Sequence, residues 1–122
     1  MSTITVTNIK ATGETASRAV SGVAAAWCNW NGTGTIAIND SNNVSSISDD
    51  GTGITVVNYT NDMANGNYAN GGAARETSGG GFAIMRLSIN HNAGSTRFIC
   101  EEDAGTDIDG EMQTVSTHGD LA

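Results

Sequence analysis

The sequence lacks proline and is poor in aromatic residues. Only 5% of its 122 residues are Phe, Trp or Tyr, so large rings can fill little of a core. A chain of this length fits one domain, which buries roughly two-thirds of its unfolded surface. We therefore expect a single folding unit with a thin, aliphatic core. Small domains of this kind usually add disulfides, metal ions or oligomerisation.

Cysteine is scarce as well. Cys28 and Cys100 stand far apart, among apolar neighbours, and form no short-spaced pair. Two reduced, buried thiols are the favoured interpretation, and a single disulfide is the alternative. A zinc site is not expected, because the remaining soft ligands, His91 and His118, form no pair at finger spacing. Oligomerisation is the supplement that remains.

Basic residues and long hydrophobic runs are missing too. Five Lys and Arg face 13 Asp and Glu, which gives a net charge of −8. Nucleic-acid binding needs clustered basic residues to neutralise phosphates, so we expect no nucleic-acid partner. No stretch reaches the roughly 20 apolar residues that span a bilayer. Residues 1–5 lack the basic start of a signal peptide. We expect a soluble chain with no membrane partner.

Glycine, Thr, Asn and Ser are abundant, which is typical of short strands joined by many turns. Alternation of apolar and polar residues predicts strands at Ile36, Val44, Ile54, Phe82 and Thr96. Residues 43–59 and 82–100 each have the pattern of a hairpin, with turns at 49–53 and 90–94. Residues 15–26 are expected to be extended or frayed, and the glycine-rich stretch 71–81 a mobile loop. The predicted fold is a small single-domain all-β antiparallel sandwich or meander.

The first 20 residues are predicted to form an extended N-terminal arm, and residues 21–122 the β domain. Ile4, Val6 and Ile9 would have no partner in a compact monomer. They are therefore candidate assembly contacts, and the arm is a candidate docking element.

Two stretches resemble a known module. From Ser21 the sequence runs S-G-V-A-A-A-W-C-N-W-N-G-T-G-T-I, and from Asn43 it runs N-V-S-S-I-S-D-D-G-T-G. Both resemble a module repeated in tail-fibre and other virion proteins of tailed phages, and the likeness continues through N-Y-T-N-D-M to residue 69. Cys28 and Trp30 replace the usual Val and Phe, and the basic residue common near Asn39 is missing.

The resemblance implies a β-structured virion protein that is commonly trimeric. A fibre also needs an anchor and a long shaft, for which 122 residues leave no room. We therefore expect a non-enzymatic structural protein on the outside of the particle, as a capsid decoration or cement protein or as a tail-fibre module. Its partners would be itself, as a homotrimer, and other virion proteins such as the major capsid or tail proteins. The alternative is a receptor- or glycan-binding adhesin at a fibre tip, which meets the host cell surface.

The sequence offers little that favours chemistry. The acidic stretch 101–111 invites a calcium interpretation. Placing Asp107 and Asp109 at positions three and five of an EF-hand loop, however, puts Gly105 and Ser116 where the outer acids belong. A solvated acidic loop is expected instead. There is no nucleophile motif and no sugar groove with paired carboxylates. No metal, cofactor or catalytic residue is predicted.

Two tryptophans are the remaining candidates. Trp27 and Trp30 are three residues apart, so they face opposite sides of an extended strand. One should enter the core, and the other should pack against a subunit or stack on a sugar. Trp30 joins Ile4, Val6 and Ile9 as a candidate binding residue.

Overall fold

The structure, a computed structural model, describes residues 1–9, 18–19, 23–75 and 83–122. Within these residues the regular secondary structure is entirely β, with no helix. The ten strands are β1 (Asn8–Ile9), β2 (Arg18–Ala19), β3 (Ala26–Asn31), β4 (Ala37–Asn42), β5 (Val44–Gly51), β6 (Ile54–Tyr59), β7 (Ala69–Arg75), β8 (Ala83–Asn92), β9 (Ser95–Glu102) and β10 (Met112–His118).

Eight strands form one antiparallel sheet in the order β4-β3-β10-β7-β8-β9-β6-β5. The sheet curves until it is nearly closed into a barrel, with β4 and β5 as its two edges. The predicted all-β antiparallel fold is confirmed. Between the two architectures left open, one continuous sheet with a β7-β8-β9 meander is closer to a meander than to two stacked layers.

The interior is set by alternation along the strands. Thr55, Val57 and Tyr59 are buried along β6, while their neighbours in the strand are partly exposed. Residues that pair directly across an antiparallel ladder point to the same face. Phe98 lies opposite Thr55, and Thr96 lies opposite Val57, so both β9 residues also point inward. The alternation at Ile54 therefore predicted the strand, but Ile54 itself lies on the other, partly exposed face.

Both predicted hairpins are present. β5 and β6 are joined by a tight turn in which Gly53 has a φ of +70°, a backbone conformation that favours glycine. A Cβ at Gly53 would lie 2.6 Å from the carbonyl oxygen of Cys100, so the turn also needs the missing side chain. β8 and β9 are joined by Ala93 and Gly94 alone. That turn is shorter than expected, because residues 90–92 belong to β8.

Asn43 forms the corner between the two edge strands. It is the only non-glycine residue with a positive φ, 56°, in the part of the chain that the structure describes. Its side-chain Oδ1 accepts a hydrogen bond from the Asn61 backbone N at 2.8 Å, and its Nδ2 donates to the Asn61 carbonyl at 3.0 Å. Asn tolerates this conformation better than most residues. The corner is therefore fixed by residues distant in sequence.

Two strands of the sheet, β7 and β10, were not among the strands predicted. The expectation of a mobile loop is wrong for residues 71–75, which lie in β7 and pair with β10; residues 76–82 lie outside the described residues. A Cβ at Gly72 would lie 2.9 Å from the Thr114 carbonyl oxygen and 3.3 Å from the Met85 Cβ. Glycine here permits close strand packing rather than mobility.

The core is small, but the expectation that it is aliphatic is wrong, because four of the nine residues in the buried cluster are aromatic. Trp30 and Phe98 contact each other with ring centroids 6.4 Å apart. Cys28 and Cys100 are both buried and free, which confirms the interpretation as reduced thiols. The buried cluster is Ala26, Cys28, Trp30, Val57, Tyr59, Met63, Tyr68, Phe98 and Val115.

The N-terminal segment stands apart from this sheet. Among the described residues β1 and β2 pair with each other alone, with Asn8 opposite Ala19, in a separate two-stranded sheet. Residues 1–9 are all exposed. Residues 10–17 and 20–22 lie outside the described residues, so the boundary between arm and domain at residue 20 stays a prediction.

Candidate assembly surface

The apolar side chains of the first nine residues contact solvent. Ile4 is 85% exposed, Val6 47% and Ile9 40%. These β-branched residues suit a strand that packs against another surface. Their exposure leaves them available to a partner.

The two tryptophans do face opposite sides of β3, as expected. Trp30 is fully buried in the core, whereas Trp27 is 37% exposed on the outer face. The surface position therefore belongs to Trp27. Trp30 stabilises the interior, and the folded chain offers no surface at that residue to a ligand or a second subunit.

Exposed aliphatic residues lie along the length of β8. Ile84, Leu87 and Ile89 are 55%, 46% and 94% exposed; we call them the β8 ridge. The pairing of β8 with β9 is irregular between Leu87 and His91, and one ladder pair, Ala74 with Ala83, joins β8 to β7 among the described residues. The irregular stretch carries Ile89 into solvent. Ile84 and Leu87 are three residues apart and so face opposite sides of the strand, which means that β8 exposes large apolar side chains on both sides.

A cavity of about 500 Å³ lies where the chain enters the domain. Its walls come from the residues just before β3, the end of β4 and the C-terminal residues. We call it the terminal cavity; its lining includes Val23, Ala24, Ala25, Asn42, Asp120 and Leu121. Val23 and Leu121 are each 47% exposed, so its apolar wall is open.

Polar residues in the barrel interior form one hydrogen-bond network. The Tyr59 and Tyr68 hydroxyls contact Thr96 Oγ1 at 2.9 and 2.5 Å, and Tyr59 also reaches Thr117 at 3.2 Å. Thr117 Oγ1 donates to Asn70 Oδ1 at 2.7 Å. Burial raises the pKa of Tyr68 well above its ordinary value, so this phenol stays protonated. The network ties β6, β9 and β10 to β7.

His91 packs at the edge of this network. Its ring lies 4.0 Å from the Tyr68 ring, centroid to centroid, and its side chain is partly buried. His91 lies in β8 rather than in the predicted turn at 90–94, because the turn begins only after residue 92. Its role is packing against Tyr68.

The acidic stretch is held by ion pairs. Arg86 contacts Glu101 at 2.5 Å and Asp107 at 4.0 Å, and Arg75 contacts Glu111 at 3.1 Å. The Arg86 guanidinium lowers the pKa of Glu101. Asp109 accepts a hydrogen bond from the Gly53 backbone N at 2.7 Å. These carboxylates hold the 103–111 loop against the sheet.

The two thiols are poor nucleophiles. Burial raises the pKa of Cys28 to about 11 and also raises that of Cys100. The thiolate is the reactive form of cysteine. Both groups therefore act as small apolar core residues near neutral pH.

No group of three or more His, Cys, Asp or Glu side chains within the described ranges could hold a metal ion. The same part of the chain contains no helix with the length and apolar character needed to cross a membrane.

A scan against protein-family models, a search of curated proteins and a search of solved structures each find no match to this chain. Its function is therefore inferred from the exposed arm, the β8 ridge, the terminal cavity and the sequence resemblance.

Sequence patterns identified part of this surface. Alternation identified the arm residues, which indeed contact solvent. The β8 ridge was missed because apolar residues in a predicted strand were assumed to face the core, whereas Ile84, Leu87 and Ile89 are exposed. The terminal cavity was missed because its residues lie near 23, 42 and 121, and no sequence pattern connects them.

Proposed function

We propose that this protein is a non-enzymatic structural protein of a tailed-phage particle, which acts by assembling with copies of itself and with other virion proteins. On the particle exterior it would serve as a capsid decoration or cement protein, or as a tail-fibre module. The phage assignment depends on the resemblance of residues 21–69 to virion modules.

The observation that carries the assembly proposal is the exposure of large aliphatic side chains on the arm and on the β8 ridge. Ile4, Ile84 and Ile89 are each more than half exposed. Covering an aliphatic side chain of this size contributes roughly 1.5–3 kcal/mol. A thin core with uncovered aliphatic groups is expected of a subunit whose burial is completed by neighbours.

The polar residues support the same proposal. The buried hydroxyls of Tyr59, Tyr68 and Thr96 contact one another, and Arg86 is paired with Glu101. These hydrogen bonds and this ion pair join strands of the sheet. A rigid subunit of this kind can present the same outer surface to every neighbour.

Counting copies on purified particles of the virus that encodes the chain tests the proposal. Quantitative mass spectrometry, with antibody labelling seen by electron microscopy, should find the protein on the exterior. Hundreds of copies per particle would indicate capsid decoration, and about a dozen would indicate the tail. Absence from purified particles would contradict the proposal.

Trp27 favours a second candidate, a glycan-binding adhesin. Its ring is partly exposed. Trp27 pairs with Asn42 of β4 and with Ser116 of β10, so both polar residues lie beside it. An aromatic face flanked by polar groups can stack on a sugar. Binding of the protein to a glycan array that is lost in Trp27→Ala would favour this candidate.

A further inference from the structure

We propose that the terminal cavity receives the arm of a second copy of this chain, with Ile4 and Val6 as the inserted side chains. This inference rests on the proposed assembly function and specifies its geometry. Each copy would give an arm to one neighbour and accept an arm from another. Such a head-to-tail contact makes closed rings when its rotation closes, as a homotrimer requires.

The acceptor is an open apolar wall. Val23 and Leu121 are nearly half exposed where they line the cavity, and Ala24 and Ala25 complete its apolar side. The volume of about 500 Å³ falls in the range of sites that bind small apolar groups. It can therefore hold two aliphatic side chains.

The donor is the segment around Thr3, Ile4, Thr5 and Val6. Its two apolar residues alternate with threonines, so an extended segment presents both on one face. Ile4 is 85% exposed, so the arm does not fill the cavity of its own chain in this structure. The molecule therefore has both an exposed apolar arm and an open apolar cavity that such an arm could enter.

The distribution of charge favours the arm, rather than another part of a second copy, as the occupant of the terminal cavity. Of the 13 acidic residues only Glu14 lies in the first 20, whereas two of the five basic residues, Lys10 and Arg18, lie there. The cavity also has an acid, Asp120, in its wall. Docking one acidic domain on another would bring like charges together, whereas docking the arm does not.

A donor variant and an acceptor variant, both in the full chain, test this inference. Ile4→Ser with Val6→Ser removes the inserted side chains, and Thr3→Ser with Thr5→Ser is its matched control. We expect the donor variant to weaken self-association about 100-fold, because each buried aliphatic side chain contributes roughly tenfold. The control should assemble as the unchanged protein does.

Leu121→Arg is the acceptor variant, and Val23→Arg is a second one should the first fail to fold. Met112→Arg, at an exposed apolar position outside the arm, the cavity and the β8 ridge, is the matched control, and Ile84→Arg tests the ridge itself. Sedimentation velocity should find the acceptor variants monomeric and the control assembled. An equal mixture of donor and acceptor variants should form a dimer, because only one working arm and one working cavity remain.

Three outcomes would overturn the inference. The first is a donor variant that assembles normally, and the second is a mixture that stays monomeric. The third is dissociation by Ile84→Arg while Leu121→Arg assembles, which would make the β8 ridge the interface. None of these changes the copy number found on particles, so the proposed function is judged separately.

Discussion

At the scale of single residues, Thr96 is the most connected polar group in the interior. It is fully buried, and its hydroxyl contacts those of both Tyr59 and Tyr68. Buried polar groups stabilise a fold only while their partners are present. A change at this one position therefore affects three side chains.

We expect Thr96→Val to lower the free energy of unfolding by about 1–3 kcal/mol, because it removes one hydrogen bond from each of two buried hydroxyls, those of Tyr59 and Tyr68, which keep Thr117 and the Asn92 carbonyl as partners. Urea unfolding measures this loss. Thr106→Val, at an exposed position, is the control and should change stability by less than about 0.5 kcal/mol. Equal effects of the two substitutions would show that the network does not stabilise the fold.

The buried thiols give the protein a predictable response to alkaline pH. The pKa of Cys28 is about 11 in the folded chain and near 9.0 when the thiol is exposed. The unfolded chain then loses its proton first, so stability is full below pH 9 and falls as the pH rises towards 11. Cys100 and Tyr68, whose pKa values are also raised, act in the same direction.

Urea unfolding at a series of pH values tests this response. Stability should decline between pH 9 and pH 11, and it should decline less steeply in Cys28→Ala. Identical slopes in the two proteins would contradict the assignment of a raised pKa to Cys28.

At the scale of elements, the two hairpins could be predicted because their strands alternate and their turns carry glycine. β7 and β10 could not. β7 reads A-N-G-G-A-A-R, which has the composition of a loop, and β10 turns the polar residues Gln113 and Thr117 inward. Strand formation in both comes from pairing between distant segments. Local propensity does not report such pairing.

Adjacent glycines in β7 give a matched test of this packing. Gly72→Ala should destabilise the fold by about 1–3 kcal/mol, because its Cβ would lie 2.9 Å from the Thr114 carbonyl oxygen. Gly71→Ala should be neutral or slightly stabilising, since the nearest atom is the Ser116 Oγ at 3.7 Å. Thermal unfolding of both variants measures these effects. Unchanged stability in Gly72→Ala would contradict the close approach of β7 to β10.

Edge strands of a sheet invite unwanted pairing. Here β4 and β5 carry Asp40, Asp49 and Asp50, and of these Asp50 lies 3.6 Å from Arg97. Acids on both edges oppose pairing between edges of two copies. The contacts between copies are therefore expected through side chains rather than through an extended sheet.

At the scale of the whole molecule, composition predicted that the chain assembles with neighbours, but it did not predict which surfaces make the contact. Few aromatics and no disulfide leave a thin core, which favours completion by neighbours. The arm residues followed from the sequence because they alternate in a segment without partners. The surface that would receive them depends on the closed shape of the sheet, which brings residues 23, 42 and 121 together.

Sedimentation equilibrium over a wide range of concentrations measures whether the protein assembles with itself. We expect a homotrimer of a 12.5 kDa chain, which dissociates on dilution and unfolds at a higher temperature as concentration rises. A monomer at every concentration, with an unfolding temperature that does not change, would contradict it.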